Sequence, residues 1–505
     1  MRILFSILVA SLRFTVIFTM TNISESDNYI RDRERILKLE QKTFVGGELN
    51  LTLKEKLVDD VILKIKKSEL VKGYENVSNF LPSQHFFNVK DKINQSEMFS
   101  IIKKLPKGGA LHTHFLAGVS TDYIIKNVTY KNKLYGGCVN GVFKLKFFED
   151  GDPNIDSIWK KIVEYRQNDT NFDVWLKDQL SLEVPNPSEV YPTANSIWTK
   201  FKKTFTVQYD MICYKPVFEE YIYQLLKELY LDNVMYSELR GTFMPLYELN
   251  GTTYNNEDFI RIFIKTVEKF KKDHIDFIGV RYIHNLYRGV SPDDLKRDLK
   301  DLVELKNKYP SFISGFDFVG YEEEGHTLFD FHEVLLEFTN DLKFFFHAGE
   351  SNWFGHTDIN LLDAILLNAS RIGHGFGLNK HPQLQELVKE KNICIEVCPI
   401  SNQVLKLIDD LRNHPMITLM SKGFPVVISN DDPAVWGATG LSNDWYVAFM
   451  AMTPENVGVK VLKQFAINSI SFSAMDEEEK TAAMQKWGKQ WETFLDNMLL
   501  EYKNF

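Results

Sequence analysis

From residue 106 onward the chain repeats one unit, a short apolar run followed in most cases by an amphipathic stretch of helix length. The runs are "GALHTHF", "NVMYSELRG", "FIGVRYIHNL", "SGFDFVGY", "KFFFHAGE", "SRIGHG", "ICIEVCPIS" and "PVVISNDDP". Stretches such as "SPDDLKRDLKDLVELKNKYP" and "HPQLQELVKEKN" separate them. Short buried strands alternating with amphipathic helices predict parallel strands with crossover helices, and eight such units are the count of a (β/α)8 barrel of the α/β class. A doubly wound open sheet is the competing architecture. It would usually carry a Gly-rich phosphate loop after its first strand, and none is present. Residues 28–105 read differently, as helices with charged and apolar residues at three-to-four spacing that form an N-terminal extension. The barrel then occupies residues 106–505.

The polar residues sharpen this choice. Nearly every predicted strand ends in a group able to do chemistry: His112 and His114, Glu238, Gly320, His347 and Glu350, His374, and Asp431 with Asp432. Barrel enzymes keep their active sites at the C-terminal ends of the strands, where these groups would converge. His112 and His114 lie two apart, so on a strand both imidazoles face one side. With only 12 histidines in 505 residues, that pairing suits a metal.

Composition bounds the rest. At 44% hydrophobic residues the chain can bury a large core, and a formal charge of −9 argues against a nucleic-acid binder. The leader "MRILFSILVASLRFTVIFTM" (residues 1–20) resembles a secretory signal peptide, although Arg13 interrupts its apolar run and leaves an uncleaved anchor open. No later segment is apolar for the 18 residues of a membrane span. Asn22, Asn50, Asn76, Asn94, Asn127, Asn168, Asn250 and Asn368 open N-x-Ser/Thr sequons, which with the leader point to a secreted glycoprotein. Four cysteines are too few for a disulfide scaffold. Cys394 and Cys398 read as buried thiols of one strand rather than as a zinc pair.

His112, His114, His347 and Asp431 form a candidate ligand set. Three imidazoles and a carboxylate suit Zn²⁺, which would lower the pKa of a bound water toward neutrality. Glu350, three residues after His347, is placed to protonate a substrate nitrogen as a general acid. His374 could orient the water or take its proton, and Asp432 could hold a ring nitrogen.

The segments "LHTH", "FFFHAGE", "RIGHG", "IEVCPISN" and "ISNDDP", in this order, closely resemble the adenosine deaminase family of zinc barrel hydrolases. The leader, the N-terminal helices, "NVMYSELRGTFMPLYELNG" and "CPISNQVLKLIDDLRNHP" resemble its extracellular branch, the adenosine deaminase-related growth factors. The resemblance spans roughly residues 75–500. It implies one zinc at His112, His114, His347 and Asp431, Glu350 as proton donor and His374 as proton acceptor. Purine contacts would come from Asp432 and the Gly320 backbone. It also implies a small domain inserted after the first strand, about residues 127–190, and a cleft segment Trp198 to Phe205 with Trp198 over the nucleoside. The N-terminal segment would serve a homodimer. That branch usually has a disulfide in the insertion, where Cys138 has no evident partner.

Two positions depart from the family's pattern. An Asp that would grip a ribose hydroxyl is replaced by Phe115, followed by Leu116, and a His expected after the third strand becomes Tyr287. The sequence therefore predicts a secreted deaminase of adenosine or 2′-deoxyadenosine, with Phe115 facing the sugar. Two alternatives stay open: a deaminase of another 6-aminopurine nucleoside, and a binding or signalling protein on the same scaffold, with a cell-surface receptor or glycan as partner.

Overall fold

The computed structural model describes residues 25–503. Eight parallel strand segments form the barrel wall: β1 (Gly108–His114), β5 (Val234–Gly241), β6 (Gly279–Tyr287), β7 (Ile313–Val319), the β8–β9 run (Lys343–Phe344 and His347–Ala348), β10 (Arg371–His374), β11 (Cys394–Val397) and β12 (Val426–Ile428). The order is β1-β5-β6-β7-β8 followed by β9-β10-β11-β12. Thr113 pairs with Asp431, closing the cylinder. There His114 N–H donates to the Asp431 carbonyl at 2.9 Å and Asp431 N–H to the His112 carbonyl at 3.0 Å. The same closure brings the first and last strands of the sequence together at one rim.

The strands are buried on both faces, which is why they read as continuous apolar runs rather than alternating ones. Outside β5 and β6, Tyr282 stacks on Phe312 with ring centroids 5.7 Å apart and Phe263 meets Tyr282 at 5.5 Å. An aromatic this buried contributes about 3–5 kcal/mol relative to alanine.

Between β1 and β5 the chain builds a second, antiparallel sheet of β2 (Leu134–Val139), β3 (Val142–Phe147) and β4 (Lys160–Lys161). Its hairpin turns at Asn140 and Gly141, both with positive φ (51° and 76°), the two-residue Asn-Gly turn whose twist matches the strands. The helix Ala194–Ile212 returns the chain toward the barrel, its start fixed by a Thr193/Ser196 capping box. Ile197, Trp198, Phe201 and Thr204 follow its three-to-four period and are buried.

The N-terminal extension splits in two. Helix Glu25–Thr43 has no buried residue, whereas helix Leu53–Glu75 buries Val58, Ile62 and Ile65. The second packs on the C-terminal helices Val459–Ser471 and Glu477–Glu501. Glu55 there accepts from Trp491 Nε1 at 2.8 Å and Lys463 Nζ at 2.6 Å. It is part of the barrel's own packing. The leader and the Asn22 sequon lie outside the described residues. No helix among those described is long and apolar enough to cross a membrane.

Candidate active site

At the C-terminal rim, β1 presents His112 and His114, β9 presents His347, and the turn after β12 presents Asp431. One ligand atom from each lies within 4.8 Å of the others. His112 Nε2 and His114 Nε2 stand 3.2 and 3.1 Å from Asp431 Oδ1. His114 Nε2 is 3.4 Å from His347 Nε2. Burial pushes His347 down to about 4 and His114 below its ordinary value, so both rings are neutral near pH 7. Converging ring nitrogens and a carboxylate, with His112 Nε2 and Asp431 Oδ1 buried and without hydrogen-bond partners, fit a cation and little else.

Their outer nitrogens explain the convergence. His112 Nδ1–H donates to Glu396 at 2.8 Å and His347 Nδ1–H to Asp317 at 2.7 Å. Burial alone would raise Glu396, but the Arg240 and Arg371 guanidiniums hold it well below the carboxylate range. Asp317, also buried, is held down by His347 and Arg240. Each carboxylate fixes its imidazole with the proton outward and the lone pair inward, as metal-ligating histidines require. Sequence reasoning missed Arg240, Asp317, Glu396 and Arg371, although each is a charged residue set inside an apolar strand.

Asp431 and His374 both adopt left-handed backbone, with φ of 56° and 58°, a conformation that costs a non-glycine residue energy and recurs at functional sites. A side chain at Gly373 would place its Cβ 3.1 Å from His112 Cε1 and press on the ring. His374 Nδ1 lies 3.5 Å from Glu350 Oε1, and His374 Nε2 lies 3.8 Å from Asp431 Oδ2. Burial, with Asp431 and Glu322 nearby, lifts the Glu350 carboxyl well above its usual range. Burial and Asp431 do the same to Asp432. Both shifts favour the protonated carboxyl, the form that can donate, while burial favours the neutral His374 ring.

A cavity of about 380 Å³ opens over these groups. Leu116, Trp198, Phe205 and Tyr287 are among its apolar walls, and Gly320, Glu350 and Asp432 are among its polar ones. Trp198 stacks on Tyr321 at 4.8 Å, tying the inserted segment to the loop after β7. Gly320 has φ of 107°, and a Cβ there would run into the Tyr287 ring.

Phe115 does not face this cavity. Its ring is buried among Phe218, Tyr221 and Phe263, at 5.6, 5.1 and 5.4 Å, and Leu116 takes the cavity wall instead. The expected sugar contact at Phe115 is thus overturned, because the chain leaves β1 in a tight turn, Phe115–Ala117, that swings this side chain into the core. Glu238 is likewise absent from the rim. It is buried within the wall, accepting from Arg371 at 2.5 Å and Tyr236 at 3.0 Å. All four cysteines are free, Cys138 exposed and Cys213, Cys394 and Cys398 buried.

Residues 172–489 match the family described as Adenosine deaminase, and residues 10–102 match the one described as Adenosine/AMP deaminase N-terminal. The chain is 42% identical over 482 residues to "Adenosine deaminase" of Phlebotomus duboscqi, covering 94% of this chain and 93% of that one. It is 39% identical over 474 residues to "Adenosine deaminase 2" of Homo sapiens, covering 92% of each. Among solved structures, Arabidopsis ADAL complexed with GMP shares the fold, with a TM-score of 0.56 at 17% identity over 77% of this chain and 98% of that one. Matched over most of its length in both sequence and fold, the chain belongs to the adenosine deaminase family.

Proposed function

We propose that the protein is a secreted, zinc-dependent adenosine deaminase that hydrolyses adenosine, and 2′-deoxyadenosine, to the corresponding 6-oxo nucleoside and ammonia. One observation carries this reading: the ring nitrogens of His112, His114 and His347 converge on Asp431, directly under a largely apolar cavity that Glu350 also lines. Three imidazoles and one carboxylate are a donor set suited to Zn²⁺. When bound, the ion would supply Lewis-acid activation of water at neutral pH.

The chain's own residues supply the rest. The apolar walls, Trp198 and Phe205 among them, exclude water from the purine and hold its plane. The Gly320 backbone approaches the ring edge where no side chain would fit. Asp432, protonated, donates to a ring nitrogen and sets the orientation. Glu350 donates its proton to the ring nitrogen beside C6, making that carbon a better electrophile. His374 sits against Glu350 and Asp431 and lines the same cavity.

Secretion is supported by the leader and by the exposure of all seven sequon asparagines among the described residues, from Asn50 to Asn368. Exposed Tyr29, Ile30, Ile36, Leu37 and Leu39 on helix Glu25–Thr43 support a homodimer through that helix. On the sugar side, the apolar Leu116 lines the cavity and offers no hydrogen bond, which favours tolerance of sugar-modified nucleosides. An ultraviolet assay of the purified protein with adenosine, 2′-deoxyadenosine and adenine side by side tests the proposal. Turnover of the nucleosides with little of the free base supports it, and turnover of none of the three overturns it.

A further inference from the structure

We propose that Asn402 and His414 are positioning residues that hold His374 as its Nε2–H tautomer, so that Nε2 donates a hydrogen bond into the reaction space instead of accepting a proton there. The inference rests on the deaminase reading and deepens it.

A backbone amide can only donate. Met416 N–H points at His414 Nδ1 at 3.2 Å, so that nitrogen is an acceptor. Burial pushes His414 down to about 3, leaving one ring proton, which must then sit on Nε2. His414 Nε2 stands 3.0 Å from Asn402 Oδ1 and donates to it. With its oxygen so used, the Asn402 amide turns its nitrogen to His374 Nδ1 at 3.1 Å, and an NH2 group can only donate. The other group near His374 Nδ1 is Glu350 Oε1 at 3.5 Å, which makes no hydrogen bond there, so nothing takes a proton from Nδ1. With Nδ1 an acceptor, the ring proton of His374 is left on Nε2, a buried atom with no hydrogen-bond partner among the described residues.

The neighbouring rings make the contrast. His112 and His347 face carboxylates with Nδ1 and so turn lone pairs inward. His374 faces an amide NH2 and turns a proton inward. All three rings lie within about one ring contact of each other, with centroids 5.1 and 5.2 Å from His374. The sorting of ligand from non-ligand histidines is therefore made by the group behind each ring. His374 Nε2, though close enough to Asp431 to join a ligand set, is by this polarity a donor and no ligand.

Asn402→Asp reverses the polarity at constant shape, because a carboxylate accepts from Nδ1–H. In the full-length zinc-loaded protein we expect kcat for adenosine to fall about 100-fold, the scale of losing one preorganised donor, with KM and zinc content little changed. His414→Leu should also lower kcat, and His414→Gln should restore most of that loss, since glutamine can accept from Met416 N–H and donate to Asn402. Nitrogen NMR of the [15N]histidine-labelled protein reads the tautomer directly. His374, assigned by its absence in His374→Gln, should show a pyrrole-type Nε2 and a pyridine-type Nδ1, exchanged in Asn402→Asp. A protonated Nδ1 in the wild type would overturn the proposal, as would an Asn402→Asp enzyme keeping more than about a third of kcat. If wild type failed to deaminate adenosine, the deaminase reading would fall, while the tautomer spectrum would still be measured on its own.

Discussion

His112 Nδ1 stands 2.8 Å from the Glu396 carboxylate, and that contact decides what the opposite ring nitrogen can do. Glu396 stays ionised because Arg240 and Arg371 bind it at 2.5 and 2.6 Å. It therefore accepts the Nδ1 proton and leaves the Nε2 lone pair facing Asp431. A charged network buried inside the wall thus sets the chemistry of the rim.

Glu396→Gln keeps an acceptor for His112 but removes the charge that two buried guanidiniums depend on. We expect metal affinity to weaken about 10–100-fold, the usual effect of losing a partner behind a ligand. Stability should fall by about 3–5 kcal/mol from uncompensated buried charge. Competition with a chelator of known affinity and denaturant unfolding measure the two effects separately.

Glu350→Gln should keep fold and metal and lose about 10²–10⁴ in kcat, since an amide cannot act as an acid. The pH profile carries the sign. The protonated form of Glu350 is the working one, and its pKa is raised, so wild-type activity persists above the usual carboxylate range and declines as pH rises through that raised value. In Glu350→Gln this alkaline limb should be absent from the residual rate.

Phe115→Asp should destabilise the protein by about 3–5 kcal/mol, because it buries a carboxylate among three aromatic rings. No improvement in KM for adenosine is expected. Thermal unfolding checks the first statement, and steady-state kinetics of whatever folds checks the second.

Removing residues 1–43 should convert a dimer to a monomer while preserving activity and stability, since helix Glu25–Thr43 buries nothing in its own chain and the cut leaves the buried Phe44 and Val45 in place. A cut near Ser100 is a poor test of the same idea. It would strip Val58, Ile62 and Ile65 from the C-terminal helices and expose Trp491. Light scattering of the shorter truncation distinguishes a dimer through this helix from one through another face.

The barrel was legible because each strand is a bounded apolar run and eight of them recur. The ligand set was legible for a related reason: the strands end in His or Asp, and parallel strands in a closed cylinder deliver those ends to one rim. Phe115 was misread because strand periodicity stops at His114, and a turn beyond it obeys no alternation. Glu238 was misread because a charge inside a wall strand and a charge at its end look alike in sequence. Arg240, Asp317 and Glu396 stand in motifs that were recognised, but what they do depends on which strands are neighbours. Asn402 and His414 are 12 residues apart, and only the fold brings them together behind His374.

The most direct test of the central claim is the rate of adenosine deamination before and after metal removal from one preparation. Dialysis against a chelator should abolish turnover of adenosine, and one equivalent of Zn²⁺ per chain should restore it. A metal-free protein that deaminates adenosine at the full rate, or a zinc-loaded one that never does, would contradict the account.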